Sequence, residues 1–220
     1  WRGAEILPVA GDASFRRYFR VVAGDRKAIL MDAPPPHEDP RPFINIARHL
    51  KAQDFAVPEI FGEDLEQGLV LLEDFGDHRM REHLDDHPED EEAIYRQTID
   101  LIKALHQKPA ADLAEYDWDQ YLREVNLLPE WYCSAQSLDV DQAGFVDAWR
   151  TALQPVIAAQ TSPVTVLRDY HAENIMLLDN DRLGLLDFQD ALAGHTAYDL
   201  VSMLQDARRD VSDELEEAML

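Results

Sequence analysis

One segment, residues 165–191, constrains the fold of this chain more than any other. It reads TVLRDYHAENIMLLDNDRLGLLDFQDA, in which two short apolar runs, IMLL and LGLL, flank an Asp-Asn-Asp turn. Apolar runs of this length around a turn are typical of a β-hairpin. Asn174 precedes the first run and Asp187 follows the second. Because paired antiparallel strands bring such ends together, the pattern predicts a hairpin with an amide and a carboxylate side by side.

The same segment has the spacing that phosphoryl transfer requires. Asp169 stands five residues before Asn174, and Asn174 stands thirteen residues before Asp187. Transfer of a phosphoryl group to a hydroxyl needs a carboxylate near the attacking oxygen and oxygen ligands for Mg²⁺. The three residues supply these groups, so the segment predicts a phosphotransferase site. A turn-rich acidic hairpin without chemistry is the alternative interpretation.

The charge of the chain limits its partners. There are 44 acidic and 20 basic side chains, which gives a formal charge of −24. This charge repels the phosphates of nucleic acids and anionic lipids, so we expect no nucleic-acid partner. The sequence has no apolar run of about twenty residues, so we expect no membrane span. None of these features indicates an oligomeric state.

The single cysteine, Cys133, excludes an intramolecular disulfide and favours a reducing compartment, the cytoplasm. The 220 residues, of which 46% are hydrophobic, suffice for one globular unit or two small lobes. The chain begins at Trp1 and ends at Leu220 within a helical pattern. We therefore expect the natural protein to extend further.

The first seventy or so residues have the pattern of strands around one helix. FRRYFRVVA and KAILMDA are rich in strand-forming residues and are joined by the turn Gly24-Asp25, which predicts a hairpin. FINIARHLKAQ has the apolar spacing of a helix, and VPEIFGE and GLVLLED predict two more strands.

After Gly76 the pattern becomes mainly helical. EEAIYRQTIDLIKALHQ and GFVDAWRTALQPVIAA each carry one apolar stripe, so we predict that both are core helices. Between them lies YDWDQYLREVNLLPEWYC, whose aromatic side chains we interpret as core packing rather than as a wall facing a ligand.

Two stretches of the predicted hairpin resemble a known family. LRDYHAENIMLLD followed by LLDFQDA is similar to the catalytic and metal-binding loops of the aminoglycoside phosphotransferase family, relatives of choline kinases and protein kinases. AGDASFRRYFRV, ILMDAPPP, EDPRPF, VPEI and LLEDFGD resemble more narrowly the bacterial kinases that phosphorylate the anomeric hydroxyl of amino sugars, N-acetylmuramate and N-acetylglucosamine. The resemblance extends from about residue 8 to about residue 210.

This resemblance implies a two-lobed, protein-kinase-like α+β fold. Residues 1–73 would form a small β-rich nucleotide-binding lobe, residues 74–76 a hinge, and residues 77–220 a mainly helical lobe with the catalytic hairpin. ATP would bind in the cleft, and the protein would be an ATP-dependent kinase of a small molecule, most similar to the amino-sugar kinases. Another acceptor, such as an aminoglycoside or a choline-like alcohol, remains an alternative.

The resemblance also assigns roles around the hairpin. Asp169 would be the catalytic base, and Asn174 and Asp187 would ligate Mg²⁺ between the phosphates of ATP. Asp199 is similar to the family's buried aspartate that braces the backbone of the catalytic loop. The candidates on the substrate side are Arg168, His171 and Asp190. For His171 we prefer a hydrogen-bonded structural role, and for Asp190 the cap of a following helix.

The nucleotide-binding candidates lie in the first half of the chain. AGDASFRRY resembles a degraded glycine-rich loop, in which Ser14 adds a hydroxyl donor and Arg16 a charge for the phosphates. Strand alternation places Arg16 and Arg20 on the face opposite Arg17. The full set of candidates is Ser14, Phe15, Arg16, Met31, Glu73, Asp74 and Phe75.

The segment LEDFGD, residues 72–77, spells the triplet with which protein kinases hold magnesium. However, Asp74 comes 95 residues before Asp169, whereas the metal triplet must follow the catalytic loop to pair with it in a hairpin. We therefore assign LEDFGD to the hinge, where backbone groups bind adenine, and Asp187-Phe188-Gln189 to the metal.

Two departures from the kinase pattern affect the phosphate site. Met31 occupies the strand position at which kinases carry a phosphate-binding Lys, and the helix FINIARHLKAQ has no Glu to pair with such a Lys. Either an arginine or Lys27 then serves the phosphates, or the chain is a pseudokinase module that binds nucleotide without turnover.

Overall fold

The computed structural model describes residues 1–9, 15–160, 162–179 and 181–220. Its first part is an antiparallel sheet of five strands in the order β1-β2-β3-β5-β4. The strands are β1 (Glu5–Val9), β2 (Arg17–Ala23), β3 (Arg26–Asp32), β4 (Ile60–Asp64) and β5 (Leu69–Leu72). Gly24 adopts a φ of 62° in the β2–β3 turn, a conformation that glycine tolerates at no steric cost. The predicted hairpin and the two later strands are confirmed, and β1 is additional.

The helix α1 (Arg41–Ala52) lies against this sheet. Pro40 and Pro42 bound its first turn, where a missing backbone N–H costs nothing. Its apolar stripe is buried in the shared core, as the spacing predicts. The buried residues of α1 are Phe43, Ile44, Ile46, Ala47 and Leu50.

The second part of the chain is mainly helical. Its helices are α2 (Met80–Asp86), α3 (Glu91–His106), α4 (Trp118–Val125), α5 (Gln142–Ala159), α6 (Ala197–Leu204) and α7 (Asp213–Met219), with a π-helical turn at Leu128–Cys133. The predicted stripe of α3 is buried, which confirms it as a core helix. None of these described helices has the length and apolar character needed to span a bilayer.

The prediction that α5 is a core helix is wrong. No residue of α5 is buried, and Trp149 and Val156 are exposed. The interpretation of the preceding aromatic segment as core fails as well, because Trp131 is 74% exposed and Tyr132 is also exposed, although Tyr116 is buried. Helical periodicity reports an apolar face but not whether another element of the chain covers that face.

Two small sheets interrupt the helices. β7 (Ile175–Leu177) and β8 (Leu183–Leu185) form the predicted hairpin, and β6 (Val164–Val166) pairs with β9 (Leu192–Gly194). The hairpin joins the first part of the molecule because the Leu185 N–H donates to the Ala56 carbonyl at 2.8 Å. The α+β class is thus confirmed, with the hairpin held between the sheet and the helices.

Candidate active site

The hairpin brings the predicted metal ligands to one end of paired strands. Ile175 is opposite Leu185, and the Leu186 N–H donates to the Asn174 carbonyl at 3.0 Å. Asn174 therefore stands beside the residue that precedes Asp187. Asp187 has a φ of 56°, a left-handed conformation that ends the strand and turns the chain out of the hairpin.

Asp169 lies at the same place. The Asn174 side-chain N–H donates to the Asp169 carbonyl at 3.0 Å, which closes the loop of four residues between them. Burial raises the pKa of Asp169, and the nearby negative charge of Asp187 raises it further. Asn174 is therefore joined both to the backbone of Asp169 and to the strand end that precedes Asp187.

Asp199 braces this loop from α6, as the resemblance implies. Its carboxylate accepts hydrogen bonds from the Leu167 N–H at 2.8 Å and the Arg168 N–H at 2.9 Å. Burial raises the pKa of Asp199 to about 7, although the two backbone donors oppose this shift. Arg168 has a φ of 72°, and such a conformation persists in a non-glycine residue where its surroundings hold it.

Arg168 is directed to α4 rather than into open space. Its Nη2 donates to Glu124 at 2.6 Å, and its Nη1 donates to the Asp190 carbonyl at 3.3 Å. Glu124 also accepts hydrogen bonds from the hydroxyls of Tyr116 and Tyr198. The carboxylate thus holds the arginine side chain next to Asp169, and sequence reasoning did not identify Glu124 because a glutamate inside a polar helix carries no distinguishing pattern.

The other two candidates on the substrate side have different surroundings. His171 is buried, its pKa is lowered by burial, and its Nε2 lies 3.2 Å from the Asn174 amide nitrogen. This is the structural role preferred for it. Asp190 does not cap a helix, because β9 follows it and α6 begins only at Ala197. Gln189 Nε2 lies 2.8 Å from Asp187 Oδ1 and 3.3 Å from Asp190 Oδ2, so it bridges the two carboxylates.

The donor set fits Mg²⁺ in part. Within the described ranges, no group of three or more His, Cys, Asp or Glu side chains is arranged to hold a metal. Magnesium is commonly held by one or two carboxylates together with phosphate oxygens and water, and it prefers oxygen ligands. The amide of Asn174 and the carboxylate of Asp187 supply such ligands at one end of the hairpin, and a nucleotide would have to supply the rest.

Arg16, the residue before β2, lies close to Asp187. Arg16 Nη2 lies 4.0 Å from Asp187 Oδ1, and Arg16 Nε lies 3.9 Å from Glu38 Oε2. Phe15, the preceding residue, is exposed and stacks on His37 with ring centroids 5.2 Å apart. Ser14 lies outside the described residues. The alternation predicted for β2 is confirmed, since Arg17 instead pairs with Asp32 on the other face of the sheet.

Met31 does not line the surface of the cleft. Its side chain is 0% exposed and belongs to the hydrophobic core under the sheet. The expectation that Met31 contacts a nucleotide is therefore wrong in this structure. An apolar side chain at the strand position of the kinase Lys is buried because burial stabilises it, whereas an amino group would have to reach a polar partner.

The hinge segment is held by Arg20 from β2. Arg20 Nε lies 2.7 Å from Asp74 Oδ2, and its Nη2 donates to Asp77 at 2.8 Å and to the Gly76 carbonyl at 3.2 Å. Asp74 also accepts from the Gly76 N–H at 2.9 Å. The side chain of Asp74 is thus engaged within the protein.

The backbone of the hinge presents groups that a base can bind. The Glu73 N–H donates to the Glu59 carbonyl at 2.8 Å. The Glu73 carbonyl and the Phe75 N–H have no hydrogen bond to another described residue. The Phe75 ring packs against β8, where a Cβ on Gly184 would lie 2.7 Å from it. The side chain of Phe75 therefore joins the predicted hinge to the hairpin.

Comparisons with known proteins agree with this geometry. The Phosphotransferase enzyme family matches residues 5–220. The chain is 39% identical over 208 residues to an N-acetylmuramate/N-acetylglucosamine kinase of Pseudomonas aeruginosa. The matched region covers 93% of this chain and 60% of the relative. A protein of the same name from Neisseria meningitidis is 34% identical over 213 residues, or 94% of this chain and 63% of the relative. The chain thus spans about 60% of the length of the Pseudomonas relative.

Solved structures with little sequence identity share the fold. ADP-bound aminoglycoside phosphotransferase APH(2'')-Ib has a TM-score of 0.70 at 15% identity, and the match covers 98% of this chain and 76% of that one. Choline kinase LicA from Streptococcus pneumoniae has a TM-score of 0.72 at 13% identity and covers 98% of this chain and 73% of that one. The protein-kinase-like α+β fold predicted from the sequence is confirmed.

Proposed function

Because the chain belongs to the phosphotransferase enzyme family, we propose that it forms the catalytic core of an ATP-dependent kinase of amino sugars. The acceptor would be the anomeric hydroxyl of N-acetylmuramate or N-acetylglucosamine. The observation that carries this proposal is the convergence of Asp169, Asn174 and Asp187 at the end of one hairpin. Relatives named for these two sugars, at 33–39% identity, support the choice of acceptor.

Asp169 would act on the acceptor. Its carboxylate accepts the proton of the sugar hydroxyl while that oxygen bonds to the γ-phosphorus and the bond to the leaving oxygen of ADP breaks. Burial beside Asp187 raises the pKa of Asp169, which makes the carboxylate a better proton acceptor. Asp199 holds the loop backbone, so the base is positioned before the substrate arrives.

The nucleotide would lie between the sheet and the hairpin. The Glu73 carbonyl and the Phe75 N–H would bind adenine, and Asn174 and Asp187 would hold Mg²⁺ against the phosphates. When bound, Mg²⁺ neutralises the charge of the phosphate oxygens. Arg16 beside Asp187 supplies the positive charge that Met31 cannot. An ATP-dependent enzyme with one cysteine fits the cytoplasm, the compartment that we propose for it.

The test is ADP release from ATP and Mg²⁺ with a panel of acceptors. We expect turnover with N-acetylmuramate or N-acetylglucosamine, and none with an aminoglycoside or choline. Asp169→Asn should lower kcat by at least about a hundredfold and leave ATP affinity nearly unchanged, because the proton acceptor acts only in the transition state. Asp100→Asn, at an exposed position of α3, is the matched control and should retain activity.

Turnover with choline or an aminoglycoside alone would replace the proposed acceptor. Full activity of Asp169→Asn would contradict its role as base. Nucleotide binding without turnover on any acceptor would indicate the pseudokinase alternative.

A further inference from the structure

Arg16 and Glu38 form an ion pair near Asp187. This pair bears on the two departures from the kinase pattern, the missing strand Lys and the missing helix Glu. Met31 replaces the strand Lys, and α1 contains no Glu. Instead, Arg16 reaches the site from the residue before β2, and Glu38 reaches it from the connection that precedes α1. Both side chains are largely enclosed, with 13% of Arg16 and 21% of Glu38 exposed.

We propose that Glu38 is a positioning residue that holds Arg16 over the phosphate side of the site, so that this pair replaces the strand Lys and helix Glu of kinases. This inference rests on the proposed function, because it assumes that the cleft binds a nucleoside triphosphate. Arg16 Nη2 lies 4.0 Å from Asp187 Oδ1, and Arg16 Nε lies 3.9 Å from Glu38 Oε2, so the guanidinium lies beside a predicted metal ligand. Its planar fork suits bidentate contact with a phosphate.

Glu38 makes two contacts with adjacent residues. Its Oε1 accepts a hydrogen bond from the Phe15 N–H at 3.2 Å, and its Oε2 faces Arg16 Nε. The Glu38 carboxylate therefore contacts both the backbone N–H of Phe15 and the side chain of Arg16. An arginine side chain carries about 2 kcal/mol of rotamer entropy, so holding it in place before binding lowers the cost of binding.

Glu38 and Asp187 both lie near the positive charge of Arg16. Without Glu38, the guanidinium would be drawn more strongly to Asp187 and would compete there with Mg²⁺. With Glu38 present, Arg16 lies between the two carboxylates at nearly equal distances. The pair therefore keeps Asp187 available to a metal while it keeps a cation next to the phosphates.

The other basic residues of β2 and β3 have different positions. Arg20, on the same face as Arg16, is bound to Asp74 and Asp77, and Arg17 faces the other side of the sheet. Lys27 is exposed near the β2–β3 turn, where it lies opposite Val22. Among the described basic side chains of this hairpin and the residue before it, Arg16 is the one beside Asp187.

The experiment measures nucleotide binding by calorimetry, which needs neither an acceptor nor turnover. Glu38→Gln removes the charge but keeps an oxygen for the Phe15 N–H. We expect it to weaken MgATP binding about tenfold, the scale of one charge-assisted contact, and to leave adenosine binding unchanged. Arg16→Gln should weaken MgATP binding at least as much. The double variant should equal Arg16→Gln alone, because Glu38 acts through Arg16.

Glu63→Gln is the matched control, because Glu63 pairs with Arg48 outside the site, and it should bind MgATP like the parent. Equal losses for adenosine and MgATP, or losses that multiply in the double variant, would overturn the inference. A parent that binds no MgATP would overturn the inference and the proposed function together. MgATP binding that depends on Arg16 and Glu38, without phosphorylation of any sugar, would uphold the inference and contradict only the proposed function.

Discussion

Residues 74–76 and residues 187–189 both begin with Asp-Phe, yet the two segments differ in which groups the protein engages. In residues 74–76, the aspartate side chain is bound by Arg20 and by a backbone N–H, and we propose that the backbone binds the nucleotide. In residues 187–189, the backbone turns out of a hairpin, and the aspartate carboxylate lies 4.0 Å from the Arg16 guanidinium. The same two letters therefore position a backbone in one segment and a side chain in the other.

The phenylalanines differ in the same way. Phe188 is fully buried and stacks on Phe43 of α1 with ring centroids 5.0 Å apart. Phe75 is partly buried and packs on the bare backbone of Gly184. Phe188 thus ties the metal segment to the core, whereas Phe75 attaches the hinge to the outside of the hairpin. Three experiments separate the two segments.

The largest effect is expected from the core ring. Phe188→Ala should lower the free energy of unfolding by about 3–5 kcal/mol, because it leaves a cavity beneath α1. Phe75→Ala should lower it by about 1–2 kcal/mol, because its ring is only partly removed from water. Chemical denaturation measures both. Phe61→Ala, at an exposed strand position, is the control and should stay within about 0.5 kcal/mol of the parent. Equal losses of unfolding free energy in Phe188→Ala and Phe75→Ala would contradict the proposed difference between a core ring and a partly buried ring.

The second effect is kinetic. Asp187→Asn should lower kcat/KM for the proposed kinase reaction by about a hundredfold, because it removes the charge expected to hold Mg²⁺ against the phosphates. Asp74→Asn should have a far smaller effect, because the side chain of Asp74 contacts Arg20 rather than the site. Steady-state rates over a range of Mg²⁺ concentrations test this. If Asp74→Asn were as damaging as Asp187→Asn, the assignment of the metal to residues 187–189 would be wrong.

The smallest effect concerns the hinge and depends on pH. Arg20→Met should lower the free energy of unfolding at pH 7 by about 2 kcal/mol, because it leaves the buried Asp74 carboxylate without its cation. Hydrogen bonds from Arg20 lower the pKa of Asp77. The stabilisation from Asp77 is therefore present above its unfolded pKa of about 4 and is lost as the pH falls through its lower folded value. The difference between parent and variant should narrow when unfolding is measured at pH 3.

The control for this experiment lies on the same strand. Arg17 pairs with Asp32 on the exposed face of the sheet, and Arg17→Met should cost less than about 1 kcal/mol. A difference between parent and Arg20→Met that is the same at pH 3 and pH 7 would show that Arg20 acts through packing alone.

The exposed face of α5 shows a limit of periodicity. Its stripe through Phe145, Trp149, Leu153 and Val156 has the spacing of α3, yet α3 is buried and α5 is not. Local sequence sets which side chains share a face, whereas burial depends on what the rest of the molecule places opposite that face. The N-cap proposed for Asp190 failed for a related reason, since β9 pairs with the distant β6 rather than continuing into a helix.

Three features were predictable from the amino-acid sequence: the hairpin, the spacing of Asp169, Asn174 and Asp187, and the shared face of Arg16 and Arg20. These follow from short-range rules, because turn chemistry, strand alternation and residue spacing act over a few positions. The packing of the whole chain buries Met31, bonds Arg20 to residues 74–77, and sets Glu38 and Glu124 beside Arg16 and Arg168. Each of these depends on contacts between residues 22 to 57 positions apart, which no local pattern encodes.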